Sequence, residues 1–395
     1  MSESTVELKE LPIKKYKVSL DLPPEHRWTE VLTDNLSKLT RVMDELDKLI
    51  PKGWISYGVE KMLATAAYMN IVYYSAELRA ISAITKIPLG KLVILQLYYE
   101  LNAHCTSIVT NSKQGPCLTR TMDWELPLLK ELTIEVEFMK EGRRLFDATT
   151  WVGCVGIFTG MKPGAFAVSL NYRRTNDSAL LNVAKTILYS WPTSFLIREV
   201  LTNAQSYEEA VSVLSNSKII APCYFIVASS DRMIECDEPM LKTPIKAPQE
   251  TMLYPSLLDS DSKTESKQCL KRNDAIHTKQ PLPLRVSPKE AQPRGCILIR
   301  DRDGLAPLKN NPEKLENTAG GYIVQTNHDK GMQGENIIYS RERVIVLDAL
   351  MCQRLIDEPS KLLENLTDHP IINEETIYTT QMIPMQGFLK TRVFK

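Results

Sequence analysis

The hydrophobic period of this 395-residue chain changes at about residue 105. Before that point apolar side chains recur at helical spacing, as in Val31, Leu32, Leu36, Leu39, Val42, Met43, Leu46 and Leu49. The same pattern returns over 58–82 and 89–102, with Pro51 and Pro88 as breakers. After that point, Leu132-Thr133-Ile134-Glu135-Val136-Glu137-Phe138 alternates strictly, the mark of a half-buried strand. Further strands are predicted at 105–111, 117–123, 149–158, 165–171, 222–229, 295–300, 321–326, 376–382 and 387–393. Helices are predicted at 178–190, 194–203 and 206–215; Ser206 and Glu209 form a capping box for the last. Runs of strands and runs of helices predict an α+β fold with antiparallel sheets rather than alternating βαβ units.

Residues 238–294 lack this periodicity and are rich in Pro, Lys, Ser, Asp and Glu, which predicts a long surface insertion. Lys+Arg and Asp+Glu are both 48, and no basic run carries interleaved aromatics, so no nucleic-acid partner is indicated. No apolar stretch reaches the roughly 18 residues of a membrane span. Eight scattered cysteines without a CxxC indicate neither a zinc site nor a disulfide framework. Residues 1–15 are polar, with no apolar signal-peptide core. Three Asn-x-Ser/Thr sequons, at Asn35, Asn176 and Asn365, are about what chance supplies and matter only in the secretory pathway.

One cysteine stands at the change of period. Cys105 opens the predicted strand His104-Cys105-Thr106-Ser107-Ile108-Val109, and Arg120 and Asp123 follow at short range. A thiol attacks as its thiolate, and a nearby cation lowers its pKa. Two short strands turning at Gly115-Pro116 bring Arg120 and Asp123 back beside Cys105. Spacing alone leaves open a buried cysteine with an unrelated Arg and Asp, because such hairpins are common.

Residues 105–123, CTSIVTNSKQGPCLTRTMD, resemble the nucleophile segment of the lysosomal N-acyl amidases. That family comprises N-acylethanolamine-hydrolysing acid amidase and acid ceramidase, N-terminal-nucleophile hydrolases related to penicillin V acylases and bile salt hydrolases. VSLDLPPEHRW (18–28) resembles the family's mature N-terminus, and LKELTIEVEFMKEG (129–142) with WVGCVGIFTGMKPGAFAVSLN (151–171) its core sheet. SYEEAVSVLSNSKIIAPCYFIV (206–227), CILIRDRDG (296–304), VQTNHD (324–329) and TIYTTQM (376–382) follow in family order.

The resemblance implies a four-layer αββα sandwich with an N-terminal helical segment. It implies that Cys105 cleaves the His104–Cys105 bond, dividing the chain into 1–104 and 105–395, two products that stay associated. The freed α-amine then serves as base for the Cys105 thiol. Asp123 holds that amine, Arg120 stabilises charge near the sulfur, Asn327 donates to the oxyanion, and Arg341, with Arg343 two residues on as the other match, supports the site. No metal or organic cofactor is implied, and the implied compartment is the lysosome. The family carries Asp/Asn-Glu-Arg where this chain has Asn171-Tyr172-Arg173, so Tyr172 stands in place of a site glutamate. The 105–120 hairpin is also one residue short. His328, beside Asn327, is the one remaining histidine placed near the site.

The first function expected is hydrolysis of fatty acyl amides such as N-acylethanolamines. The alternatives are an acid ceramidase, an acylase for other N-acyl substrates, and a non-processing lipid-binding relative. Segment 55–82, rich in Met and aromatics, suggests contact with a membrane surface or lipid micelle.

Overall fold

The computed structural model describes residues 9–49, 57–98, 104–112, 114–173, 190–230, 294–315, 321–330, 339–352, 362–363, 366 and 369–395. The predicted insertion at 238–294, apart from its last residue, lies outside them. So do most of the predicted helix 178–190, the Asn176 sequon and the head of segment 55–82.

Two sheets form the centre among the described residues. The six-stranded sheet runs β1 (Glu10–Leu11), β14 (Phe388–Phe394), β13 (Thr376–Ile383), β4 (Gly115–Asp123), β3 (His104–Ser112), β12 (Tyr322–Gln325). The eight-stranded sheet runs β11 (Glu313–Lys314), β10 (Gly295–Arg300), β9 (Cys223–Ser229), β8 (Phe166–Tyr172), β7 (Thr159–Lys162), β6 (Arg143–Trp151), β5 (Thr133–Lys140), β2 (Lys14–Ser19). The sheets pack face to face. Val109, Leu118 and Met382 of one meet Met161, Ala167, Tyr224, Ile226 and Ala228 of the other.

Helices cover both outer faces. Helices α1 (Thr29–Leu49), α2 (Tyr57–Tyr68), α3 (Ser75–Thr85) and α4 (Leu89–Tyr98) share one apolar core with the eight-stranded sheet. The short α5 (Leu129–Leu132) and the longer α6 (Thr193–Asn203) and α7 (Tyr207–Asn216) join that core. Helix α8 (Ser340–Cys352) lies on the other outer face, where Leu347 and Met351 pack on Ile108 and Val324. The result is a four-layer αββα sandwich. In α1 the buried face is Val31, Leu32, Asn35, Leu39 and Val42, the stripe that a 3.6-residue period requires. At α7, Ser206 Oγ accepts from the Glu209 N–H at 3.2 Å, while Glu209 Oε2 accepts from the Gln205 N–H.

Three expectations are corrected and one is extended. Predicted helix 58–82 is two helices, broken at 69–74, where Asn70 and Tyr74 adopt left-handed backbone. Predicted strand 149–158 ends at Trp151; Gly153 turns at φ +86° before β7 begins at Thr159. That loop is wholly buried, so its apolar run carried no period to separate loop from strand. Segment 1–104 is not only helical. β2 pairs with β5, in parallel, and β1 pairs with β14, so each sheet takes a strand from before Cys105. Finally, Gly115 and Pro116 are not the turn: they open β4, opposite Ser112 and Asn111.

Candidate active site

Strand alternation decides which way each group in the β3–β4 hairpin points. The register pairs Cys105 with Met122, Ser107 with Arg120 and His104 with Asp123, without a slip. The missing residue of the hairpin is therefore absorbed at its turn, and no side chain is flipped to the wrong face. Cys105, Ser107, Arg120 and Met122 point between the sheets. Thr106 and Asp123 point outward toward α8.

On the inner side the Cys105 thiol is fully buried. Arg120 Nη2 donates to Cys105 Sγ at 2.7 Å and to Leu170 O at 2.9 Å. Arg120 Nη1 donates to Phe158 O, to the Thr159 hydroxyl and to Tyr378 OH. The guanidinium is thus fixed by carbonyls and hydroxyls of the facing sheet, and its charge is directed at sulfur. Burial nevertheless pushes the thiol above its usual range, and the pull of Arg120 in the other direction does not overcome it. The sequence expectation that a nearby cation lowers this pKa held only one of the two opposing effects.

On the outer side Arg343 Nη1 donates to Asp123 Oδ2 at 3.1 Å and to Thr106 Oγ1 at 2.8 Å. Thr376 Oγ1 donates to Asp123 Oδ1 at 2.7 Å. Burial raises the Asp123 carboxyl, opposed by Arg343 and by that hydroxyl. β13 slips register between Thr376 and Tyr378. This bulge aims Thr376 outward at Asp123 and Tyr378 inward at Arg120, two residues that would otherwise share a face.

Arg341 is not brought to this site. It is exposed in the first turn of α8, while Arg343 is fully buried. The reason is helical phase: Ser340, Arg343, Leu347 and Met351 are the buried stripe of α8, and position 341 falls about 100° from Ser340. The signal was in the sequence, since 343, 347 and 351 are spaced by four.

Asn327 joins the two faces. Its Oδ1 accepts from the Cys105 N–H at 2.8 Å and from Arg343 Nη2 at 3.2 Å, and its Nδ2 donates to Tyr172 O at 2.9 Å. Two donors on one side and a carbonyl on the other fix the amide's orientation. Asn327 thus presents its acceptor to the Cys105 amide nitrogen. The end of β8 grips the same loop. Asn171 Nδ2 donates to Gln325 O, and Arg173 pairs with Asp329 at 2.6 and 2.8 Å. Tyr172 serves through its backbone carbonyl, a contact that any side chain at 172 can provide.

His104 is half-buried, its Nδ1 3.9 Å from Glu375 Oε2. Glu375 was not anticipated as a site neighbour. Burial, together with Glu125, Asp123 and Glu374, raises its carboxyl to about 7. A carboxyl raised in the fold stabilises it below the ordinary value of 4.5, and that contribution is lost as pH climbs through about 7. Glu375→Gln is therefore expected to flatten the fall in melting temperature between pH about 5 and pH about 7.5, leaving the variant the more stable protein at the upper end. Parallel curves for the two proteins would sink this.

Comparison with known proteins bears on these residues. The description "beta subunit of N-acylethanolamine-hydrolyzing acid amidase" matches residues 12–66, and "linear amide C-N hydrolases, choloylglycine hydrolase family" matches residues 105–234, beginning at Cys105. An acid ceramidase of Balaenoptera acutorostrata scammoni is 35% identical over 242 residues, 55% of this chain and 61% of that protein. Acid ceramidase of Homo sapiens is 32% identical over 65% of this chain and 74% of that protein. That of Macaca fascicularis is 31% identical over 93% of this chain and 83% of that protein. For the first three relatives the matched region spans 61% of their length. The solved structure of the Caenorhabditis elegans N-acylethanolamine-hydrolyzing acid amidase ortholog matches with a TM-score of 0.48 at 22% identity, covering 71% of this chain and 93% of that one.

Proposed function

Because the chain belongs to the acid ceramidase and acid amidase family, we propose that it is a self-processing cysteine amidohydrolase. The observation that carries this reading is the double hold on Cys105, with its thiol on Arg120 and its amide nitrogen on Asn327. A buried strand cysteine needs neither.

In the first reaction Cys105 Sγ attacks the His104 carbonyl carbon. The C–N bond breaks, the proton passes to the Cys105 nitrogen, and water hydrolyses the thioester. Asn327 Oδ1 keeps that nitrogen in place as it leaves. In the second reaction the new α-amine, with an ordinary pKa of about 7.7–8.0, takes the thiol proton. The thiolate attacks a fatty acyl amide, the amine departs, and water releases the fatty acid. Asp123, held by Arg343 and Thr376, anchors the α-ammonium. Arg343 thereby takes the supporting role first expected of Arg341.

The substrate proposed first is an N-acylethanolamine. Ceramide is the second reading, favoured by the identity to acid ceramidases along most of this chain. Met62, Tyr68 and Met69, exposed on and just after α2, support contact with a lipid surface. An acidic, lysosomal setting accompanies this reading.

The test is intact-mass analysis after incubation at pH about 4.5 and about 7.5, beside Cys105→Ala. Fragments 1–104 and 105–395, absent in the variant, are expected, followed by release of fatty acid from acyl ethanolamides or ceramides. A chain that stays whole at both pH values would overturn self-processing and favour a lipid-binding relative.

A further inference from the structure

Asn327 is held through its side chain by β8 and Arg343, and through its backbone by a further residue of α8. That residue is Ser340, the first of α8, fully buried. The Asn327 N–H donates to Ser340 Oγ at 3.2 Å. Ser340 Oγ is 2.8 Å from Thr326 Oγ1 and 2.6 Å from His328 Nδ1. A serine touching three polar groups with a single proton to give cannot be neutral to their protonation.

We propose that His328 and Ser340 are a positioning pair for Asn327, a latch whose hydrogen-bond direction is set by protonation of His328. The inference rests on the reading that Asn327 serves the Cys105 amide. With Nδ1 bare, the Ser340 hydroxyl donates to His328, and the Thr326 hydroxyl turns its proton toward Ser340. In the imidazolium, protonated on both ring nitrogens, Nδ1 donates to Ser340 Oγ, which also accepts from the Asn327 N–H, and the Ser340 proton goes to Thr326. The second state contains a charge-assisted bond, roughly twice as strong as a neutral one, and it locks the Ser340 rotamer beneath the Asn327 backbone.

Charges around His328 set when the latch engages. Arg341 and Arg343 of α8 oppose its protonation, while Glu342 of α8 and Asp329 of its own loop favour it. Burial and the two arginines prevail, so the imidazole stays below its ordinary 6.5 and charges only on acidification. The latch thus tightens Asn327 on the Cys105 amide under acidic conditions. Positioning, not contact with substrate, is the role assigned to both residues.

The test reads that hydrogen bond without requiring cleavage. In the full-length Cys105→Ala chain, amide hydrogen exchange at residue 105 reports the N–H to Asn327 Oδ1 bond. Protection there, corrected for the intrinsic rate, is expected to rise about tenfold as the His328 imidazole charges on lowering the pH from about 7.5, the size of one charge-assisted hydrogen bond. Amides at 107–109 serve as the internal reference. His328→Leu and Ser340→Ala are expected to lose the protection at 105. His328→Gln keeps a hydrogen-bonding group that cannot titrate, so it is expected to retain basal protection without the pH step. A pH step that survives in His328→Gln, or protection at 105 unchanged in His328→Leu and Ser340→Ala, would overturn the latch. A wild-type chain that never cleaves would instead overturn the proposed activity, and the exchange data would still decide this inference.

Discussion

Arg343→Met is expected to stop self-cleavage and to remove about 3–5 kcal/mol of stability, while Arg341→Ala shifts stability by less than about 0.5 kcal/mol. The two arginines lie two residues apart on one helix, yet Arg343 is fully buried and Arg341 is exposed. Removing the Arg343 guanidinium strands the Asp123 carboxylate, also fully buried, with only the neutral side chains of Thr376 and Asn373 left beside it among the described residues. A buried charge deprived of its partner is expensive, more so than a pair replaced together. Asp123 then lowers the penalty by binding a proton. Its carboxyl is already raised by burial, and loss of Arg343 raises it further. The deficit is therefore largest at neutral pH and shrinks as pH falls, because the protonated form is the one the buried site tolerates. Denaturant unfolding in a Cys105→Ala background, at pH about 5 and about 7.5, measures this without interference from processing. Intact mass of the same substitutions in the active chain measures cleavage. If Arg341→Ala were the more damaging change, the helical phase argued for α8 would be wrong.

That pair of residues also shows where sequence reasoning reached and where it stopped. The Cys105–Asp123 hairpin was legible because strand alternation is local: two strands and a turn determine which residues face each other, and the register came out with Ser107 opposite Arg120. The Ser206 N-cap was legible for the same reason, although Glu209 reaches the N–H of Gln205 rather than that of Ser206. Arg343 and Arg341 are told apart by the i, i+4, i+8 step that links Arg343 to Leu347 and Met351, a helical phase that motif spacing does not carry. Tyr172 looked like a defect because sequence displays side chains, whereas the contact it makes to Asn327 is through its backbone. Thr376 and Tyr378 could not be assigned opposite faces without the bulge between them. The β2 strand was missed although Tyr16 and Val18 alternate with exposed lysines. A six-residue strand ahead of a long helical stretch has no local partner, and its pairing with β5 lies some 120 residues away. Glu375 is a site neighbour only because β4 sets His104 and Thr376 on either side of Asp123.

Those N-terminal strands bear on what happens after a cut at 104–105, and Glu77 bears on it more. Glu77 of α3 and Arg198 of α6, each about 1% exposed, lie on opposite sides of that bond in sequence. Arg198 donates from Nη1 to Glu77 Oε2 and from Nη2 to Oε1, both at 2.8 Å. Arg27 donates to Oε1 at 2.8 Å and the Trp28 indole to Oε2 at 2.6 Å. The Arg198 guanidinium also stacks 4.2 Å from the Tyr74 ring centre. Every oxygen lone pair that matters is occupied, the condition under which a buried ion pair holds rather than weakens a core. Although burial pushes the Glu77 carboxyl upward, its four donors win and hold it below the ordinary 4.5. A carboxyl depressed in the fold contributes stability that is fully present above 4.5 and is lost as pH falls through the depressed value. The clasp therefore survives mild acid. Glu77→Leu is expected to remove about 3–5 kcal/mol in the uncut chain, and in the processed protein to release the 1–104 fragment on gel filtration. Glu77→Leu with Arg198→Met is expected to be less damaging than the sum of the two single changes, since neither charge is then left alone. Strict additivity in that cycle, or an intact two-fragment complex in Glu77→Leu, would assign the hold on the fragments to β1, β2 and the shared apolar core instead.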